Sequence, residues 1–139
     1  MTWRNIKEWF PKAELLLNCQ AGDPRIKETV DKDTFIVVVT HGHKHDKAAA
    51  KNLIDCEYRY LGMIGSIWKV KQTLTELADE GVSQERLNKI YAPIGLDIKA
   101  ETPAEIAVGI LAELIQVRRI GKPSRISLVR IHEGADDKK

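Results

Sequence analysis

The run Phe35-Ile-Val-Val-Val-Thr40 is the clearest element in the chain. Continuous rather than alternating apolar character predicts a strand covered on both faces, as in a parallel sheet flanked by helices. Upstream, Trp3, Ile6, Trp9 and Phe10 recur at helical spacing until Pro11 stops them. Residues 13–17 read as a short buried strand, and Ala21-Gly22-Asp23-Pro24 reads as a turn. After the Phe35 strand, Thr40-His-Gly-His-Lys-His-Asp46 is a polar loop, with Asp46 placed to cap a helix that runs to about Asp55.

Residues 58–61 predict another strand, closed by Gly62-Met-Ile-Gly65. Ser66 can cap the next helix, whose apolar stripe is Ile67, Val70, Leu74 and Leu77 and which Gly81 terminates. Ser83 opens a short helix through Leu87 and Ile90, and Ala92-Pro-Ile-Gly-Leu-Asp97 is a loop. Thr102-Pro103-Ala104-Glu105 carries the strongest local signal: an N-cap, a proline at the first helical position and a capping-box Glu. The helix it starts should reach about Arg119 and end before Gly121. Residues 125–131 alternate like a final strand, with Ile126, Leu128 or Val129 and Ile131 apolar. Strand–helix alternation of this kind predicts an α/β fold with a mostly parallel sheet.

The last long helix is apolar almost all round, its polar stripe being only Glu105, Gly109, Glu113 and Gln116. Glu113 is expected to face solvent along that stripe. A helix with so little polar surface has to be covered on several sides, which predicts a second copy or a partner chain completing the fold.

At 139 residues the chain has room for one domain, taken here as 1–139, and 43% apolar with 30% charged residues suits a globular core. A net charge of +2 excludes a chain built to coat nucleic acid. Glu105 and Glu113 interrupt the longest apolar stretch, so no membrane span is expected. The N-terminus lacks the apolar core of a secretory signal, and Cys19 and Cys56 have neither metal-binding spacing nor a disulfide framework. A reduced, cytoplasmic protein is expected.

In a parallel α/β sheet, ligands bind beyond the C-terminal ends of the strands. Two of the most polar or glycine-rich loops fall there. Gly62-Met-Ile-Gly65-Ser66 lets backbone approach a ligand and then starts a helix, whose free N–H groups and dipole suit an anion. Lys69, one turn in, would add charge; the alternative is a tight turn and a simple cap. His41, His43 and His45 alternate, so an extended loop would project them to one side, where with Asp46 they suit a metal or hydrogen bonds to a polar ligand. A solvated loop is the competing reading. The order of residues departs from the His-x-His-x-Asp-His of metallo-hydrolases, and elsewhere only His132 remains, so no metal site is assigned. Asp97, in a loop stiffened by Pro93 and loosened by Gly95, is a candidate acid/base or hydroxyl acceptor, or a turn cap. Trp68 lies off its helix's apolar stripe and reads as a stacking ring or an interface anchor. Arg118, Arg119, Lys122 and Arg125 form a basic cluster that suits a helix C-terminus.

Taken in order, Thr40-His-Gly-His-Lys-His-Asp46, Tyr60-Leu-Gly-Met-Ile-Gly-Ser66 with Lys69-Val70, Ala92-Pro-Ile-Gly-Leu-Asp-Ile98 and Glu101-Thr-Pro-Ala-Glu-Ile-Ala107 through Leu111-Ala-Glu113 resemble the C-terminal Rossmann-type domain of the XdhC/CoxI family. The resemblance covers about residues 30–120 and implies a Rossmann-like three-layer sandwich. That family consists of accessory factors for molybdenum hydroxylases such as xanthine dehydrogenase, which bind molybdenum cofactor and deliver it to the apo-enzyme. By resemblance His41, His43, Asp46, Gly62, Gly65, Ser66, Lys69, Pro93, Gly95 and Asp97 would line the cofactor pocket, with the pterin phosphate at the Ser66 helix start. The implied partners are a molybdenum hydroxylase apo-enzyme and a chain completing the fold.

The family's N-terminal domain and glycine-rich first strand have no counterpart here, so the sheet is expected to be incomplete relative to a full Rossmann domain. Where the family has two basic residues after Gly-Ser, this chain has Ile67 and Trp68. An NAD(P)- or nucleotide-binding oxidoreductase is the competing function, weakened by the missing Gly-x-Gly-x-x-Gly. A structural component of a split accessory factor is the third.

Overall fold

The computed structural model describes residues 6–121. In chain order these form α1 (Ile6–Trp9), a 3-10 helix (Pro24–Thr29), β1 (Phe35–Val38), α2 (His43–Leu53), β2 (Tyr60–Met63), α3 (Ile67–Asp79), α4 (Gln84–Leu87), β3 (Ile90–Tyr91) and α5 (Pro103–Ile120). The fold is α/β. Its three strands are all parallel in the order β1-β2-β3, with Phe35 opposite Tyr60 and Leu61 opposite Ile90.

The alternation of side chains along each strand sorts the core into two layers. On one face Ile36, Val38, Leu61, Met63 and Ile90 pack with Ala49, Ala50 and Leu53 of α2, Val70 and Leu77 of α3 and Leu87 of α4. The other face carries a row of aromatic rings across the three strands. Tyr60 stacks on Tyr91 with centroids 4.6 Å apart and on Phe35 at 5.9 Å, and Ile110, Leu114 and Val117 of α5 pack over the row. Helices on both faces explain why β1 and β2 read as continuous apolar runs. Among the described residues the outer edge of β1 pairs with no strand, so the sheet is an incomplete Rossmann-like one.

The local stop and start signals act as expected. Ser66 accepts from the Lys69 amide, Ser83 from the Arg86 amide, and Thr102 with Glu105 forms the full capping box. Gly121 closes α5 in the left-handed conformation, at φ 76°.

Several boundaries differ from the sequence reading. Residues 13–17 form no strand; Leu15 is 60% exposed, because an apolar run becomes a strand only where a neighbour offers it hydrogen bonds. The α2 helix starts three residues before Asp46, at His43. Gly42 supplies the turn into it at φ 102°, and Asp46 reaches back to accept from the Thr40 hydroxyl at 2.5 Å and the Thr40 amide at 3.3 Å. His43 and His45 therefore lie on a helical turn, not on an extended loop.

Strand β2 sits two residues later than expected and includes Gly62, since all four of its residues are buried in mid-sheet. Ile90 belongs to β3 rather than to the preceding helix, because it pairs with Leu61. The predicted strand over 125–131, together with Trp3, Lys122 and His132, lies outside the described residues.

The largest correction concerns α5. Gly109, Glu113 and Val117 are its buried residues, and Glu113 has no solvent exposure at all. The helix turns this part of its polar stripe inward, while Val108, Leu111 and Ile115 on the opposite side are 59%, 58% and 51% exposed.

Candidate functional site

Parallel strands deliver their following loops to one edge. The loops after β1, β2 and β3 all leave at the C-terminal edge, and the Ile64 amide donating to the Val38 carbonyl at 3.0 Å carries the pairing of the first two beyond the strands. Between the β2–α3 and β3–α5 loops lies a cleft of about 420 Å³, lined by residues that include Gly65, Ser66, Pro93, Gly95, Asp97 and Gly109. The structure thus brings together Gly65, Ser66, Pro93, Gly95 and Asp97, which stand far apart in sequence.

One wall is the start of α3. Gly65 has φ 148°, a conformation that side chains disfavour, and it turns the chain into a helix whose first amides face the loop edge. The opposite wall is the β3–α5 loop, entered through a cis Ala92–Pro93 peptide. Its Ile94 amide donates to the Met63 carbonyl at 3.0 Å, so the loop continues the sheet before turning away.

The floor is backbone against backbone. A Cβ on Gly95 would lie 3.1 Å from Gly109 C and Ile110 N, and a Cβ on Gly109 would lie 3.1 Å from the Leu96 carbonyl oxygen. The Leu96 amide donates to the Gly109 carbonyl at 3.1 Å. Asp97, with its side chain 18% exposed, pairs with Lys99 Nζ at 3.2 Å and accepts from the Lys99 amide. Backbone amides, the Ser66 hydroxyl and the Asp97 carboxylate are therefore among the polar groups this cleft can offer.

The other candidates are placed elsewhere. His41 is exposed on the β1–α2 loop at the same edge, outside the cleft wall. His43 packs against α3: Nε2 lies 3.0 Å from Glu76 Oε1 and Nδ1 lies 2.9 Å from the Thr73 hydroxyl. Behind it Lys47 bridges Glu76 and Glu80, and Lys51 adds to Glu80. These ammonium groups, Lys47 first, hold the Glu80 carboxyl down at about 2. Lys69 contributes its amide to the Ser66 cap. Gly62 lies inside β2, where a Cβ would meet the Tyr60 hydroxyl at 2.5 Å and Ile94 Cδ1 at 2.6 Å, so its missing side chain makes room for Tyr60. Trp68 is 71% exposed. Among the described residues no group of three or more His, Cys, Asp or Glu is arranged to hold a metal ion, and no helix is long and apolar enough to cross a membrane.

Behind the cleft floor, Glu113 Oε1 accepts from the Tyr60 hydroxyl at 2.5 Å and from the Gly95 amide at 3.1 Å. Burial, reinforced by the Glu113 bond, raises the Tyr60 hydroxyl well above the ordinary phenol range, so it stays a proton donor. Sequence reasoning places this residue in solvent and misses its buried role. The available signal was a lone carboxylate among apolar residues in a helix with an apolar outer side.

The family described as the XdhC Rossmann domain matches residues 2–114. The chain is 34% identical over 112 residues to the uncharacterized protein YqeB of Escherichia coli, covering 80% of this chain and 20% of that protein. It is 32% identical over 110 residues to a probable xanthine dehydrogenase subunit of Bacillus subtilis, covering 79% and 31%. Identity to the molybdenum cofactor insertion chaperone PaoD of Escherichia coli is 29% over 89 residues, covering 64% and 28%. A crystal structure of a xanthine dehydrogenase from Bacillus halodurans superposes with a TM-score of 0.68 at 29% identity, over 90% of this chain and 35% of that one. The chain thus spans no more than about a third of the length of these relatives.

Proposed function

Because the chain belongs to the XdhC Rossmann-domain family, we propose that it is an accessory protein of molybdenum hydroxylases, binding molybdenum cofactor and helping to transfer it to the apo-enzyme. The observation that carries this reading is the cleft between Ser66 and Asp97, formed at the sheet edge by the family-like motifs themselves. Its polar groups suit the organic part of the cofactor. The first amides of α3 suit the phosphate, and the Asp97 carboxylate suits the N–H groups of a pterin ring. The bound group would bring its molybdenum on its own dithiolene sulfurs. Ser66 and Gly65 orient the phosphate end, and Pro93 and Gly95 form the facing wall. The role is binding and handover, so no catalytic residue is assigned.

The open edge of β1 and the bare side of α5 support a second element of the proposal. We infer that these surfaces pack against a second copy of the chain or a partner chain.

Expression with molybdenum-cofactor synthesis enabled, followed by assay of metal and pterin in the purified protein, tests the binding reading. Co-purified pterin is expected. Gly65→Val should reduce it about tenfold or more, because the backbone conformation at Gly65 is strained for a β-branched residue. Absence of pterin from the wild type, or loading unchanged in the variant, would refute the assignment of the cleft.

A further inference from the structure

We propose that Glu113 is the positioning residue of the cleft, holding its 93–97 wall against α5 through the Gly95 amide; the inference rests on the cofactor reading above. Glu113 stands on α5, and its Oε1 gathers one donor from β2, the Tyr60 hydroxyl, and one from the cleft wall, the Gly95 amide. Three elements are thereby joined at one oxygen. Gly95 and Gly109, one turn before Glu113, both line the cleft, and their backbones approach too closely for side chains. The 93–97 wall is therefore tied to α5 at two neighbouring points, the Glu113 carboxyl and the Leu96 amide on the Gly109 carbonyl.

The second oxygen argues that this grip is not needed for packing. Glu113 Oε2 is buried with no hydrogen-bond partner. A buried, half-satisfied carboxylate lowers stability relative to an apolar side chain of similar size. The surrounding inner face of α5 is otherwise apolar, with Ile110, Leu114 and Val117 packed on the aromatic row. Leucine at position 113 would suit that layer in size, but it would leave the Tyr60 hydroxyl and the Gly95 amide without their acceptor. A destabilising polar group at the junction of a ligand wall is what a site, rather than a core, requires.

The test uses the full chain, with 6-carboxypterin as fluorescent probe and hydrogen exchange at the Gly95 amide as a second readout. Glu113→Leu is expected to weaken probe binding by about tenfold and to speed Gly95 exchange by about tenfold, with a lower melting temperature because the Tyr60 hydroxyl also loses its acceptor. Glu113→Gln retains an oxygen that accepts from both donors and should preserve binding and protection. Wild-type affinity in folded Glu113→Leu would overturn the proposal, and so would loss of binding in Glu113→Gln with Gly95 still protected. If Glu113→Leu does not fold, wild-type exchange decides. Protection of Gly95 like that of β2 amides supports the grip, and exchange like that of the 98–101 loop overturns it. Failure of the wild type to bind the probe, with Gly95 released in Glu113→Leu, refutes the cofactor reading and keeps the positioning role.

Discussion

Replacing Gly62 by alanine adds one methyl group at the most crowded point of the sheet. Its carbon would lie 2.5 Å from the Tyr60 hydroxyl oxygen and 2.6 and 2.7 Å from Ile94 Cδ1 and Cγ1. Non-bonded carbons settle at about 3.5–4.0 Å, so a neighbour has to retreat by roughly 1 Å. Tyr60 has little freedom to do so: its ring is stacked between Phe35 and Tyr91, and its hydroxyl is bonded to Glu113. Ile94 is nearly buried and pinned by its own amide to Met63.

Overpacking of this kind costs about 1–3 kcal/mol, and the stiffer unfolded chain of an alanine variant offsets about 0.4–1 kcal/mol of it. The expected net loss is about 1–2 kcal/mol. With a urea m-value of about 2 kcal/mol/M, the unfolding midpoint should fall by about 0.5–1 M at unchanged m. Circular dichroism during urea titration of Gly62→Ala and wild type measures this directly. A midpoint that stays in place or rises would refute the packing argument. The glycine would then have to be explained by a ligand's approach, as its sequence context first suggested.

Three further outcomes are expected. Thr102→Ala removes the acceptor for the Glu105 amide and should cost about 1 kcal/mol by the same urea assay, while Thr102→Ser should restore most of it. Glu80, drawn down to about 2 from 4.5 by Lys47 and Lys51, stabilises the fold fully above about pH 4.5, and that contribution is lost as pH falls from there toward 2. Melting temperatures between pH 6 and 2.5 should therefore decline less steeply in Glu80→Gln. Leu111→Asp with Ile115→Asp changes the bare side of α5 only, so the monomer should keep its melting temperature within a few degrees. Multi-angle light scattering should show the proposed assembly, with a second copy or a partner chain, lost; assembly unchanged would place the interface elsewhere.

How far the sequence could be read depended on the range of the interactions involved. Caps at Ser66, Ser83 and Thr102 were legible because donor and acceptor sit three residues apart. The Phe35 strand was legible because β-branched residues covered on both faces leave no alternation. The placement of β2 was not, since Gly62 reads as turn chemistry until Tyr60 is seen lying across it. The histidine stretch reads as an extended loop, whereas Gly42 lets the helix begin at His43 and turns that ring toward Glu76, 33 positions away. Of the candidate site, the Gly65–Ser66 turn and the Pro93, Gly95 and Asp97 loop share one cleft. Glu113 behind it reads as solvent-facing from the pattern alone, because its two donors lie 53 and 18 positions away.

The order of elements, their start signals and the α/β class follow from residues close together in the chain, where hydrogen-bonding partners and periodicity are local. The facing of α5 does not. Periodicity shows that a helix has two unlike sides, and the usual expectation that the polar side meets water assumes water outside and oil within. Here the inner side holds a carboxylate matched to a tyrosine hydroxyl and a loop amide, while the outer side is left apolar. Only the packing of α5 on the sheet decides that, because a buried polar group is satisfied by hydrogen-bond partners that the fold, and not the neighbouring residues, brings to it.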